Sequence, residues 1–380
     1  MEESVTFPQF VDSPQASVRW NNIKRSTPFF VACAFFCIAL ALGFNESNTV
    51  SQFSRISLRY STPLPGDTAY RARQHSAENM DAFWPTFWRE ENTTISTGRN
   101  AVDVNSILFS GEAFLAWPAV YIMGTAPSSI DGVGIAVSET LARNLWGSTD
   151  IIGMGVYVNN EPRVIRGVFN GSFELALVSF HIEDTSQHWT AAELSGGHPS
   201  PTRSDAESYA VNSGLGRPDN ILMGGARVVS VFMSFFPLLI PVVYAVLLFV
   251  RYVKKFYPMA GTPLFFGGLI LFAILVPILL NTLPPWLIPT RWSDFGFWGT
   301  QVSSANEALR EFISINPLMR DVELRIHLLR QAGFMLAATC SGLFMCFGGA
   351  SLTPPHPSPP WSRPCSCGTN RKGLVPRKGS

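Results

Sequence analysis

Residues 228–250 read VVSVFMSFFPLLIPVVYAVLLFV, a run with no charge anywhere in it. At 1.5 Å of rise per residue such a run crosses the apolar core of a bilayer, which takes about 20 residues. Three more stretches have the same character: 28–44, 264–283 and 331–350. Buried helices of soluble proteins are usually shorter and amphipathic. The composition agrees, since the 380 residues are 47% hydrophobic and only 14% charged, where a soluble domain is about a quarter charged. A net charge of +1 with no basic stripe argues against nucleic acid as a partner. The reading is a membrane protein with four transmembrane α-helices.

Cationic residues set the orientation. Arg19, Lys24 and Arg25 precede the first span, Arg251, Lys254 and Lys255 follow the second, and Lys372 and Lys378 lie in the tail. All five lysines therefore fall in segments that alternate to one side, the cytoplasmic one, together with both termini. The segment 45–225 carries 11 Arg, no Lys and 19 acidic residues and is placed outside; 291–330, with five Arg and five acidic residues, follows it there. Arg19, Lys24, Arg25 and the small residues Ala39-Leu40-Ala41 also fit a cleaved leader. The apolar run continues past that point, so a retained span is the favoured alternative. The six cysteines all lie in spans or tail, leaving 45–225 without a disulfide framework and favouring a bacterial origin.

The predicted organisation is a lead-in at 1–27, the first span at 28–44, an extracytoplasmic domain at 45–225, the second span at 228–250 and a cytoplasmic loop at 251–263. The third span at 264–283, an outer loop at 291–330, the fourth span at 331–350 and a disordered, Pro-rich cytoplasmic tail at 351–380 complete it. Within the domain, 45–121 is aromatic but weakly periodic. Beyond it, Ser138 is placed to cap a short helix that Gly147 stops, with Leu141 and Leu145 on one face. Strands are predicted at 155–158 and 163–169 around the turn Asn159-Asn160-Glu161-Pro162, then at 175–180. A helix is predicted across 204–213, closed by Gly214. The domain is thus mixed α/β. In the outer loop, Ser304 and Glu307 read as a capping box opening an amphipathic helix with Leu309, Phe312 and Ile313, broken at Asn316-Pro317. Pro237 and Pro241 are expected to kink the second span and Pro277 the third; Ala338 and Gly342 suit a close helix contact in the fourth.

Catalytic signals are sparse. No phosphate-binding loop, H-E-x-x-H, G-x-S-x-G or G-x-G-x-x-G occurs, so no ATP hydrolysis by that route, no catalytic residue and no cofactor is expected. His181 and His188, with Glu183, Asp184 and His198, form a weak metal candidate whose spacing matches no standard zinc site; a solvated loop accounts for them better. No internal charge interrupts a span, which disfavours a self-contained ion-coupled transporter.

One segment is distinctive: residues 135–153, IAVSETLARNLWGSTDIIG, followed by VYVNNEP at 156–162 and VIRGVF at 164–169. Ser138, Glu139, Ala142, Gly147, Asp150 and Gly153, then Asn160, Glu161, Gly167 and Val168, resemble the motif of the periplasmic core domain of MacB-like ABC transporter permeases. The resemblance covers about 35 residues. It implies one span, a large outer domain, then three spans, the layout that hydropathy and lysine placement give independently. It also implies a non-catalytic permease subunit in a bacterial plasma membrane, paired as a homo- or heterodimer, surrounded by lipid and driven by a separate ATP-binding ABC subunit. That ATPase would touch the inner loop, with Lys254 and Lys255 as candidate contacts. The alternative is a membrane-anchored extracytoplasmic binding or sensory module with no ATPase coupling.

Overall fold

A computed structural model describes residues 14–79, 83–98, 100–128, 130–197, 201–256, 266–268, 270, 273–274 and 296–350. The chain enters in α1 (Pro14–Phe53), which outruns the apolar stretch 28–44 at both ends. Its last turns persist because Val50 and Phe53, three residues apart, are both buried against the domain.

Then come β1 (Ile56–Pro65), α2 (Gly66–Glu78), β2 (Phe83–Ser96), β3 (Ala101–Ser110), α3 (Ala113–Ala116), β4 (Tyr121–Gly124), β5 (Gly134–Ser138), α4 (Glu139–Trp146) and β6 (Gly155–Val158). After these follow β7 (Glu161–Phe169), β8 (Leu175–Ser179), β9 (His188–Gly196), α5 (Arg203–Asn212), β10 (Asn220–Met223), α6 (Gly225–Phe256), α7 (Gly296–Ser314) and α8 (Met319–Ala350). The domain is mixed α/β, as its sequence suggests. Its strands run β10-β1-β9-β2-β3-β8-β5-β7-β4, and β6 pairs with both β2 and β7. That bridge closes β2, β3, β8, β5, β7 and β6 into a ring around Ile95, Val104, Ile135, Val137, Ile165 and Val178. β10, β1 and β9 extend from β2 as a wing.

The local signals of the second half hold. The Ser138 side chain accepts from the Leu141 amide at 3.3 Å, and Gly147 ends α4 in the left-handed region at φ +68°. The hairpin turn is tighter than expected. Only Asn159 and Asn160 lie outside the strands, at φ +48° and +69°, while Glu161 and Pro162 already pair with Val158 and Tyr157. Two positive-φ asparagines match the twist of a two-residue hairpin. α5 starts one residue before the expected position, capped by Thr202 in a reciprocal box with Asp205. Ser138 also accepts from the Leu175 amide at 3.1 Å. Ser138→Ala would leave two buried amides without a partner and should cost about 2 kcal/mol in thermal unfolding, against almost nothing for Ser138→Thr.

Three elements differ from expectation. α7 begins at Gly296, so Ser304 and Glu307 sit inside the helix and form no cap; the helix does stop at Ser314, ahead of Asn316-Pro317. α8 begins at Met319, twelve residues before its apolar run, because its first turns pack under the sheet. α6, with Pro237 and Pro241 inside it, runs on to Phe256, so the first six residues of the expected inner loop are helical. The sequence 251–256 contains neither Gly nor Pro to stop it, and Pro258 lies just beyond.

Among the described residues, three helical segments are long and apolar enough to cross a membrane: Phe30–Phe53, Gly225–Arg251 and Met319–Cys346. The expected third span lies outside the described residues, apart from helical positions 266–268, 270, 273 and 274. In α8, Ala338 is fully buried, and a Cβ on Gly342 would sit 3.2 Å from the Phe36 ring and 3.3 Å from Ile240. The small residues thus lie where α1, α6 and α8 meet.

Candidate functional site

The wing of the sheet meets the helices at a buried ionic cluster. Register puts its members on one face: Ser57 of β1 stands opposite Glu193 of β9, which stands opposite Thr86 of β2. With a side-chain period of two, Arg59, Trp88 and Glu90 share that face. α8 presents Arg320 and Asp321 from below.

Arg59 Nη2 donates to Asp321 Oδ1 at 3.0 Å and lies 3.9 Å from Glu193. Arg320 Nη1 reaches Glu193 at 3.2 Å and Nη2 donates to the Leu115 carbonyl at 3.3 Å. Glu193 also accepts from Ser57 Oγ at 2.6 Å and Trp88 Nε1 at 3.2 Å. Both guanidinium groups lie over the Trp88 ring, at 4.6 and 5.9 Å. Asp321 additionally accepts from the Leu318 amide at 3.2 Å, capping α8. Glu90 accepts from the Arg320 amide at 3.2 Å; burial pushes its carboxyl up, and that hydrogen bond opposes the rise.

The charges balance, two guanidinium groups against Glu193 and Asp321, and none is exposed by more than 7%. Burial at this depth costs several kcal/mol per ion, offset only while every partner is in place. Arg59 Nε and Nη1, Arg320 Nε and Glu193 Oε2 have no protein partner among the described residues. A cavity of about 20 Å³ beside Arg320 and Asp321 is large enough for a single water. The consequence is mechanical. α8 cannot shift relative to β1, β9 and β2 without separating unlike charges out of water.

Closer to the apolar runs the contacts change character. His327 of α8 lies 2.6 Å from Glu46 of α1 through Nδ1, and 3.4 Å from Glu323 through Nε2. Ser47 of α1 meets Ser230 of α6 at 2.8 Å, while Gln331 donates to the Ser230 carbonyl at 2.8 Å and to Ser234 at 3.0 Å. α7 joins through an Arg203–Glu311 ion pair and through Phe312, buried in the domain core.

The motif residues lie elsewhere and have local work. Ser138 and Gly147 bound α4, Glu139 pairs with Arg143 at 2.7 Å, and Ala142 is buried. Asp150 follows α4, its amide held by Ser148 Oγ at 3.1 Å, and Gly153 has φ +82°. Asn160 makes the turn, and Glu161 holds buried Arg163 at 2.9 Å. Gly167 must be glycine because a Cβ there would collide with the Thr125 carbonyl and the Tyr121 ring, and Val168 is core. None of these ten joins the ionic cluster. His181 Nδ1 accepts from the Glu183 amide at 3.3 Å, and His188 is an exposed position opposite Pro65 at the start of β9. Among the described residues no group of three or more His, Cys, Asp or Glu is placed to hold a metal; His198 lies outside them. Lys254 and Lys255 fall on the last turns of α6.

Arg59, Trp88, Glu193, Arg320 and Asp321 went unread in the sequence. The available signal was a charge inside an apolar strand, as in Ile56-Ser-Leu-Arg-Tyr and Ala191-Ala-Glu-Leu, and a charged pair just ahead of a span.

These features define a class: a mixed α/β domain carried on membrane-length helices and keyed to them by buried charge. No protein-family description and no curated protein matches the sequence. The fold does have counterparts among solved structures. The chain is similar to the extracellular domain of the noncanonic ABC-type transporter YknZ from Gram-positive bacteria, at 13% identity and TM-score 0.36, covering 44% of this chain and 97% of that one. It is similar to the periplasmic region of MacB from Actinobacillus actinomycetemcomitans, at 9% identity and TM-score 0.38, over 44% and 87%. A domain of a protein assigned as a permease from Porphyromonas gingivalis matches at 15% identity and TM-score 0.33, over 44% and 86%.

Proposed function

We propose that the chain is a non-catalytic, MacB-like permease subunit of a bacterial plasma membrane, which passes motion driven by a separate ATPase to its extracytoplasmic domain. The observation that carries this reading is the buried cluster of Arg59, Glu193, Arg320 and Asp321, which makes α8 and the sheet one mechanical body. Lysine placement supports the orientation, with both termini and the inner end of α6 in the cytoplasm and four spans in all. α6 supplies the input: its helical extension past Val250 brings Lys254 and Lys255 to the cytoplasmic end, where the ATPase docks. The complete machine is a dimer of permeases, and its cargo or signal is handled outside the membrane.

Mild-detergent purification from native membranes, with mass spectrometry of what co-purifies, tests this. A stoichiometric ATPase bearing a phosphate-binding loop is the expected companion. Lys254→Glu with Lys255→Glu should lower its recovery about tenfold, the effect of reversing charges at a complementary rim. If a folded protein emerges with no ATPase, the chain is the stand-alone binding or sensory module instead.

A further inference from the structure

A cleft of about 410 Å³ opens between the helices and the underside of the ring. One wall is the end of α1 (Asn45, Glu46, Thr49, Phe53), the other is α8 (Glu323, His327, Arg330), and the roof is the segments 117–120 and 169–173 with Leu175. Its volume lies in the range of small-molecule sites.

The cleft's depth follows from the sequence. The apolar run of α1 ends at Phe44, one residue before Asn45, and that of α8 starts at Gln331, one residue after Arg330. Its floor therefore lies where hydrocarbon gives way to headgroups. Trp117 and Phe173 line its roof, and Trp is a side chain that gathers at membrane–water interfaces. Phe53 packs edge-on against Trp117 at 5.5 Å and beside His327 at 5.8 Å.

Its charges are of both signs. Carboxylates flank the His327 ring on both sides, Glu46 2.6 Å from Nδ1 and Glu323 3.4 Å from Nε2. Arg330 is exposed and makes no ion pair among the described residues. Glu323 Oε2 is buried with no hydrogen-bond partner among them. The lining thus sets the guanidinium of Arg330 beside two carboxylates that hold a histidine between them. A purely anionic ligand would face Glu46 and Glu323 uncompensated, whereas a ligand with its own cation and anion meets both kinds of group.

We infer that this cleft binds the head of a zwitterionic aminophospholipid of the outer leaflet, its phosphate at Arg330, its ammonium at Glu46 and Glu323, and its acyl chains against the apolar runs of α1 and α8. The site is independent of whether an ATPase drives the helices.

The test is native mass spectrometry of the full-length chain in detergent, supplied in turn with dioleoyl phosphatidylethanolamine, dioleoyl phosphatidylglycerol and dioleoylglycerol. The amine lipid should remain bound under activation that strips the other two. Arg330→Ala should reduce its retention about tenfold, as expected for one lost charge-assisted contact. Glu323→Gln should abolish the preference for the amine lipid while phosphatidylglycerol binding holds or rises. Arg251→Ala, at the other membrane face, should change nothing. Equal retention of all three lipids would mean apolar packing alone, and an unaltered Arg330→Ala protein would mean that no phosphate is read there. Displacement of the amine lipid by millimolar inorganic phosphate would make the site one for free phosphate. Each of these three results would overturn the proposal.

Discussion

Glu193→Ala is expected to destabilise the full-length protein by about 3–5 kcal/mol, the range found when one partner of a buried ionic group is removed. Glu193 is fully buried and is the shared acceptor for Ser57, Trp88 and Arg320, with Arg59 at 3.9 Å. Without it, Asp321 is the carboxylate left in direct contact with Arg59, and both guanidinium groups remain buried over one indole ring. For a domain of this size the loss should appear as a fall of roughly 10 °C in the thermal midpoint, followed by circular dichroism in detergent. Glu193→Gln keeps an acceptor but not the charge and should recover only part. The decisive variant is the double change Glu193→Gln with Arg59→Met. It restores electroneutrality, leaving Arg320 with Asp321, and places an apolar side chain over Trp88. Replacing buried ion pairs by apolar groups of similar volume is often close to neutral, so the double variant should be more stable than Glu193→Gln alone. A loss below about 1 kcal/mol for Glu193→Ala would mean that water screens the cluster as it does surface pairs, and the rigid link between sheet and α8 would fall with it.

The same cluster explains what could and could not be read from the sequence. α4 and the β6–β7 hairpin were legible because their determinants are local. Ser138 caps an amide three residues on, Gly147 ends the helix, and two adjacent asparagines turn the chain. The apolar runs were legible because membrane spans need length and little else. The first half of the domain was not, since β2 is buried on both faces over residues 85–88. Phe87 and Trp88 are adjacent and both fully buried, which erases the alternation that marks a half-buried strand. Its neighbours β9 and β6 are distant in sequence, so no short-range pattern announces the ring or the wing. The junction is more distant still: Arg59 and Asp321 are separated by 262 positions. At Ser304 a local signal misled. The pattern of a capping box is present, yet Phe297 to Val302 already belongs to the helix, and a continuing helix has no free amides for Ser304 to cap.

If the proposed relay operates, the contrast between the two sets of helix contacts bears on which part moves. Between α8 and the sheet the link is ionic and buried, and between α8 and α1 it includes a histidine held by two carboxylates. Between α6 and the other two helices the polar contacts among the described residues are neutral: Ser47 with Ser230, and Gln331 with the Ser230 carbonyl and the Ser234 hydroxyl. Such groups exchange partners at little cost, and Gln331 Oε1 has no partner among the described residues, leaving an acceptor in reserve. In the proposed relay, motion entering through α6 should therefore be taken up at the α6 interface, with α1, α8 and the sheet moving together. Fixing that interface should stop the relay. Ser47 and Ser230 have side-chain oxygens 2.8 Å apart, close enough for cysteines there to form a disulfide. In a protein whose own cysteines are replaced, Ser47→Cys with Ser230→Cys should oxidise readily. It should then reduce ATP hydrolysis by the co-purified ATPase to the level of the ATPase alone, with recovery on adding a reductant. Each single variant should be close to wild type, because one lost hydroxyl contact costs about 1 kcal/mol. Undiminished hydrolysis in the oxidised double variant would mean that α1, α6 and α8 travel as one body, with the hinge between α6 and the ATPase and not between the helices.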